Sequence, residues 1–237
     1  MNCSICLDFL HPIVFCHKSL QLSTKHVPSR IVHCADALAW LKDQKLPEGN
    51  SLFTSLPDSS ELKRLSFSEW QDWFITAAEV VLRATPEHSA AIFFQTDVKH
   101  GNSWVDKSFL VQRGAFAAGA RLLWHKIVCR APAGVATFGR PGYAHLLCFS
   151  RRLVDLVKHS TPDVLPQLGT MTWPKAIGLE AAQQGVIWLR DRAHAHCIID
   201  PFCGIGTVLA VANQQGLDAI GVEIAASRAK KALALFL

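Results

Sequence analysis

The densest chemistry in this 237-residue chain lies in Cys197-Ile-Ile-Asp-Pro-Phe-Cys-Gly-Ile-Gly-Thr-Val208. An apolar run reads as a strand ending on Asp200, and a turn containing Gly204 and Gly206 leads into a helical pattern. Glycines there let backbone approach a ligand, because no Cβ intervenes, and a helix N-terminus offers free N–H groups. A second short run, Ala219-Ile-Gly-Val222, delivers Glu223, 17 residues after Gly206. An acid in that place holds a nucleoside ribose through its hydroxyls. The pattern departs from a dinucleotide fingerprint: the third glycine is missing, and the Asp200 carboxylate would repel a pyrophosphate. It suits a nucleoside ligand that carries positive charge.

A second constellation is Ser51-Leu-Phe-Thr-Ser-Leu-Pro-Asp58, a strand-like run that ends in a turn. Ser55 can accept a hydrogen bond. Asp58 can take a proton from a ring N–H or hydroxyl, or fix a base edge; Pro-Asp is equally ordinary turn chemistry. Asp97, just beyond the apolar run 90–94, would share the same sheet edge. Residues 107–154 hold no acid and eight basic residues, Arg130 and Arg140 among them, so in a chain of net charge +5 the remainder is acidic. Such a segment reads as a surface facing a polyanion; the alternative is solvated charge scattered over several faces. Trp104, Phe138 and Tyr143, the only tyrosine, could supply a stacking surface beside it.

The elements that must position these residues alternate. Strand-like runs at 31–34, 51–55, 90–94, 122–128, 144–149, 197–200 and 219–222 are separated by helical patterns at 35–41, 66–83, 104–118, 174–189, 205–215 and 225–235. Ser66-Phe-Ser-Glu69 is a capping box. Residues 131–142 are loop material by their Gly and Pro content. This alternation predicts an α/β fold with a mostly parallel sheet covered on both faces.

Asp200-Pro-Phe-Cys-Gly-Ile-Gly-Thr207 followed by Gly221-Val-Glu223 resembles the cofactor motif of class I S-adenosylmethionine-dependent methyltransferases. It most resembles the circularly permuted amino-methyltransferases of DNA, in which the catalytic motif precedes the cofactor motif. Thr172-Trp-Pro-Lys-Ala-Ile-Gly-Leu179 looks like the element before that family's cofactor loop, and Cys34-Ala-Asp36 resembles its Gly-Asp-x-Leu segment. Leu123-Trp-His-Lys-Ile-Val128 and His145-Leu-Leu-Cys-Phe-Ser150 are similar to its paired late strands. The likeness covers most of residues 31–237 and leaves 1–30 as an extension.

The resemblance implies one Rossmann-like domain with a seven-stranded, mostly parallel sheet and permuted motif order. It implies S-adenosylmethionine as cofactor, with Asp36 near the adenine and Lys175 near the methionine carboxylate. Asp200, Phe202, Gly204, Gly206, Thr207 and Glu223 would complete that pocket. It places Ser55 and Asp58 at the acceptor and residues 129–143 as a substrate-side loop. The family's tetrapeptide, however, is Asp, Asn or Ser, then Pro-Pro, then an aromatic, and this chain has Ser55-Leu-Pro-Asp58. Asp58 cannot stack on an extruded base, which leaves the acceptor atom open. Nucleic acid is the expected substrate, RNA before DNA and tRNA first, because the chain is small and no separate DNA-reading domain is visible. The altered tetrapeptide keeps open an RNA-binding subunit for a catalytic partner, or a homodimer. Scattered basic charge would favour a small-molecule or protein methyltransferase.

Composition limits the rest. Eight cysteines, several inside apolar runs, read as reduced thiols of an intracellular, cytoplasmic-type compartment. No apolar run is long enough to span a membrane, and the start lacks a secretory pattern. Cys3, Cys6, Cys16 and His17 have zinc-ligand chemistry, but only one pair is close and the run around it is strand-like, so no metal is expected. A catalytic cysteine adduct is not expected either, since no cysteine occurs between Cys34 and Cys129.

Overall fold

The computed structural model describes residues 26–154 and 160–237, so Cys3, Cys6, Cys16 and His17 lie outside the described residues. In chain order the elements are β1 (Arg30–His33), α1 (Ala37–Lys42), β2 (Asn50–Thr54), α2 (Phe67–Ala84), β3 (Ala91–Gln95), β4 (Val98–His100), β5 (Ser103–Val105) and α3 (Lys107–Ala117). They continue with β6 (Arg121–Cys129), β7 (Tyr143–Ser150), β8 (Val164–Leu165), α4 (Leu179–Arg192), β9 (Cys197–Asp200), α5 (Thr207–Gln214), β10 (Asp218–Val222) and α6 (Ala226–Ala234).

The main sheet runs β1-β10-β9-β2-β3-β7-β6-β8. Every neighbouring pair is parallel except the two made by β7. Helices α1, α2 and α3 cover one face and α4, α5 and α6 the other, each against its own apolar layer. Strands β2, β3 and β9 are buried along their whole length, which is why they read as unbroken apolar runs.

Three expectations are corrected. The sheet has eight strands rather than seven, because Val164 and Leu165 add to the edge opposite Ile127 and Val128; two residues are too short to show a period. Residues 104–118 are not one helix: Trp104 belongs to the hairpin β4–β5, and α3 starts only after its cap, Asp106. Helix α4 begins at Leu179 rather than at Pro174: Gly178 before it is extended, and the first N–H groups, of Leu179 and Glu180, donate to the Thr170 and Leu168 carbonyls.

Helix α2 forms as its sequence directs. Ser66 and Glu69 exchange capping bonds, and Trp70, Phe74, Ala77, Ala78, Val81 and Leu82 recur at helical spacing as its buried stripe. Its Trp70 indole donates to the Pro57 carbonyl at 3.1 Å, which fixes the turn after β2. Among the described residues no helix is long and apolar enough to cross a membrane.

Candidate functional site

The parallel strands all end at one sheet edge, and that edge holds a cavity of about 490 Å³, within the ~300–1,000 Å³ of ordinary ligand sites. Asp36 follows β1, Ser55 and Asp58 follow β2, Asp97 follows β3, Asp200 ends β9 and Glu223 follows β10, and all line it. The strand order reverses between β9 and β2, the place where open α/β sheets bind ligands.

One half of the cavity is acidic. Asp200 is buried and accepts from Thr54 Oγ1 at 2.7 Å and from the Phe202 N–H at 3.1 Å. Burial pushes its carboxyl up to about 7, with the Glu223 charge adding to the effect against those two bonds. Glu223 Oε1 accepts from Arg228 Nη2 at 2.7 Å and from the Ala225 N–H at 2.8 Å. Asp36 caps α1 through the Ala39 N–H. Lys175 lies 3.4 Å from Glu61. Thr172 and Thr207 share a hydroxyl–hydroxyl bond of 2.6 Å that ties the 172–175 segment to the start of α5. This donor set fits a ligand with a ribose and a positive charge: buried carboxylates outnumber the cations beside them, and an added cation would favour their ionised forms. Cys203 borders the same space, but burial holds its thiol far above the ordinary range, so it offers no thiolate nucleophile.

The other half holds the turn 55–58. Asp58 forms an ion pair with Lys107, whose side chain is 3% exposed and also faces the Phe74 ring. The Asp58 N–H donates to Glu61 Oε1. Arg130 donates to Thr96 Oγ1 at 3.2 Å, and Arg140 lines the same mouth. Asp97 is a crowded acceptor: the Lys107 N–H at 2.9 Å, the Tyr143 hydroxyl at 3.1 Å and His145 Nε2 at 3.1 Å all reach it. Burial opposes its charge, but the His145, Lys107 N–H and Tyr143 bonds outweigh that and hold the carboxyl below its usual range. His145 leans in turn on His125 at 3.0 Å. Asp97, Asp106 and His145 bring ligand-type atoms within 4.8 Å of one another, yet Asp106 already accepts from Ser108 and the Phe109 N–H. Asp97 therefore acts here as an anchor between β3, α3 and β7.

Four sequence candidates do not line the cavity: Phe138, exposed on the loop between β6 and β7, and three others. Tyr143 stands beside it, held by Asp97. Trp104 packs under Lys99 in the hairpin. Gly206, with φ of +87°, backs onto α6, where a Cβ would lie 2.8 Å from Ala232 Cα. Gly204 faces the ligand side instead, and a Cβ there would meet only Trp173 at 3.3 Å. Thermal melts should therefore separate the two. Both glycines have positive φ, +57° and +87°, so alanine at either costs the ~1–3 kcal/mol of left-handed strain. Gly206→Ala adds the clash with the Ala232 backbone and should melt lower, while Gly204→Ala should lose less stability and weaken ligand binding. Equal melting losses would contradict this division.

The basic segment is not one face. Arg121 pairs with Ser150 at the far end of β6 and β7, and Arg151 and Arg152 bond Glu87. Lys126 is buried against the Pro162 carbonyl. Only Lys107, Arg130 and Arg140 reach the cavity. Sequence reasoning missed the parts played by Thr54, Glu61, Lys107, Trp173 and Arg228. Trp173 lies inside the quoted 172–179 segment, whereas Lys107 meets Asp58 across 49 residues, a contact with no local signal.

No protein-family profile and no curated protein sequence matches the chain. Solved structures do. PvuII DNA methyltransferase, specific for cytosine N4, superposes with a TM-score of 0.69 at 16% identity, over 89% of this chain and 87% of that one. TTHA0409 of Thermus thermophilus, provisionally assigned as a DNA modification methylase and solved with S-adenosyl-L-methionine, gives 0.66 at 18% identity, over 86% and 92%. M1.HpyAVI with SAM gives 0.57 at 15% identity, over 86% and 97%. The fold is that of these methyltransferases.

Proposed function

We propose that this chain, which has the methyltransferase fold, transfers a methyl group from S-adenosylmethionine to nucleic acid. The observation that carries the reading is the two-ended cavity: Asp200 and Glu223 bury acid at one end, and the turn Ser55–Asp58 stands at the other, in the permuted order. When bound, the cofactor supplies an electrophilic methyl group. Asp200 and Glu223 would offset its positive charge, Glu223 would also hold the ribose, Asp36 would border the adenine, and Lys175 would meet the carboxylate. Phe202, Gly204 and Thr207 shape the floor, with Trp173 above Gly204. Ser55 orients the acceptor, and the second carboxylate oxygen of Asp58 is the proton acceptor. Lys107 keeps that side chain in place.

The expectation of RNA, tRNA first, receives no support from the similar structures, whose names point to DNA. We favour DNA. Transfer of labelled methyl to mixed DNA and RNA, followed by nucleoside mass spectrometry, decides both acceptor and polymer. Labelled methyl-nucleoside is the expected result. No label in either polymer, from protein that binds S-adenosylhomocysteine, would remove the transferase reading. One observation favours a second reading, a binding subunit without transfer: Lys107 already occupies one oxygen of Asp58.

A further inference from the structure

We propose that the loop between β6 and β7 is the grip on the nucleic-acid strand: Arg130 and Arg140 clamp a backbone phosphate at the cavity mouth, and Phe138 stacks between bases beside it. This deepens the nucleic-acid reading above and rests on it.

The loop is residues 130–142, unusually long for a connection between paired strands. Its ends are fixed. Arg130 and Ala131 both donate their N–H groups to the Gly142 carbonyl, at 2.8 and 3.2 Å, and Pro141 is buried. Between those anchors, residues 132–140 are exposed and contain no acid. Arg130 has one side-chain bond, to Thr96, and no carboxylate pairs with either arginine among the described residues. Burial, and then the Arg140 charge, act against the charge on Arg130, and the Asp58 carboxylate offsets only part of this. A phosphate would supply the rest and pair Arg140 as well, and guanidinium forks match phosphate oxygens.

Phe138 is 98% exposed. It stands two residues before Arg140, and Gly139 between them lines the cavity. Of the three aromatic candidates, Trp104 is engaged by Lys99 and Tyr143 by Asp97; only Phe138 presents its whole ring. Asp58 removes the aromatic from the catalytic turn, and a base drawn toward that turn leaves a gap in its stack. An apolar side chain inserted between bases is the established way proteins fill or open such a gap.

Phosphate contacts and stacking leave different traces in salt. Anisotropy of a labelled mixed-sequence single strand, as DNA and as RNA, is measured against a salt series with S-adenosylhomocysteine present. In R130Q/R140Q, affinity at low salt should fall about tenfold or more, and the slope of log affinity against log salt should flatten by about 0.7, the contribution of one phosphate on a single strand. R140Q alone, at an exposed position, should show part of the same flattening. In F138A, affinity should fall about fivefold or more with the slope unchanged, and F138W should restore it. A wild-type slope in the arginine variants, or wild-type affinity in F138A, overturns the proposal. So does an F138A effect confined to self-association in sedimentation. Calorimetry with S-adenosylhomocysteine on the same samples separates the two levels: its failure sinks the enzyme reading, whereas the salt slopes judge the loop.

Discussion

Asp58→Asn is expected to lower the methyl-transfer rate by ~10²-fold or more, the usual contribution of a positioned base, with cofactor affinity unchanged. Asparagine keeps the shape of the side chain but cannot accept the proton. The effect should exceed that of Ser55→Ala, because Ser55 orients the acceptor without taking its proton. The turn itself should survive, since the Trp70 indole bond to Pro57 is independent of residue 58. Lys107 loses its partner in the variant, so a lower melting temperature should accompany the slower rate. Initial rates in protein checked by circular dichroism decide the matter. A wild-type rate in Asp58→Asn would leave residues 55–58 as a turn and nothing more.

Asp200→Asn should separate stability from function. The folded carboxyl sits at about 7 because it is buried, against roughly 4 for an unfolded aspartate. Between those values the folded protein holds a proton that the unfolded chain has released. Stability conferred by this group is therefore fully present near pH 4, declines as pH rises, and is lost above 7. Above 7 a buried carboxylate faces the charge of Glu223, and asparagine removes that cost. At about pH 8 the ligand-free variant should melt above wild type, by about 5 °C or more, while its affinity for a cationic ligand collapses. A variant that melts lower than wild type at that pH would contradict the assignment of Asp200 as a strained, ligand-facing carboxylate.

What could be read from the chain alone followed from how local each signal was. Asp200 and Glu223 sit at the ends of short apolar runs, so strand, turn and helix are contiguous and the end of each strand is visible. The alternation of runs gave the layers and most of the strands, and Ser66 with Glu69 marked the start of α2 to the residue. Contacts across the sheet were invisible. Nothing near Asp58 announces Lys107, and nothing near Asp97 announces the ring of Tyr143 and His145 around it. Gly206 shows the same limit from another side. A Gly-x-Gly turn suggests two ligand-facing glycines, but only α6, packed from the end of the chain, determines that the second serves helix contact. The eight basic residues look like a single stripe in sequence, but two lie on α3, and the β6–β7 hairpin carries Arg121 to one end of its strands and Arg130 and Arg140 to the other.

The most direct test of the cofactor site is calorimetry of S-adenosylhomocysteine binding to wild type and Asp200→Asn at about pH 6 and pH 8, on either side of the folded Asp200 value. Wild type should bind one equivalent, more tightly at the higher pH because the ligand's ammonium group favours the ionised carboxylate, and Asp200→Asn should bind far more weakly at both. No binding by well-folded wild type, or equal affinity in the two proteins, would contradict it.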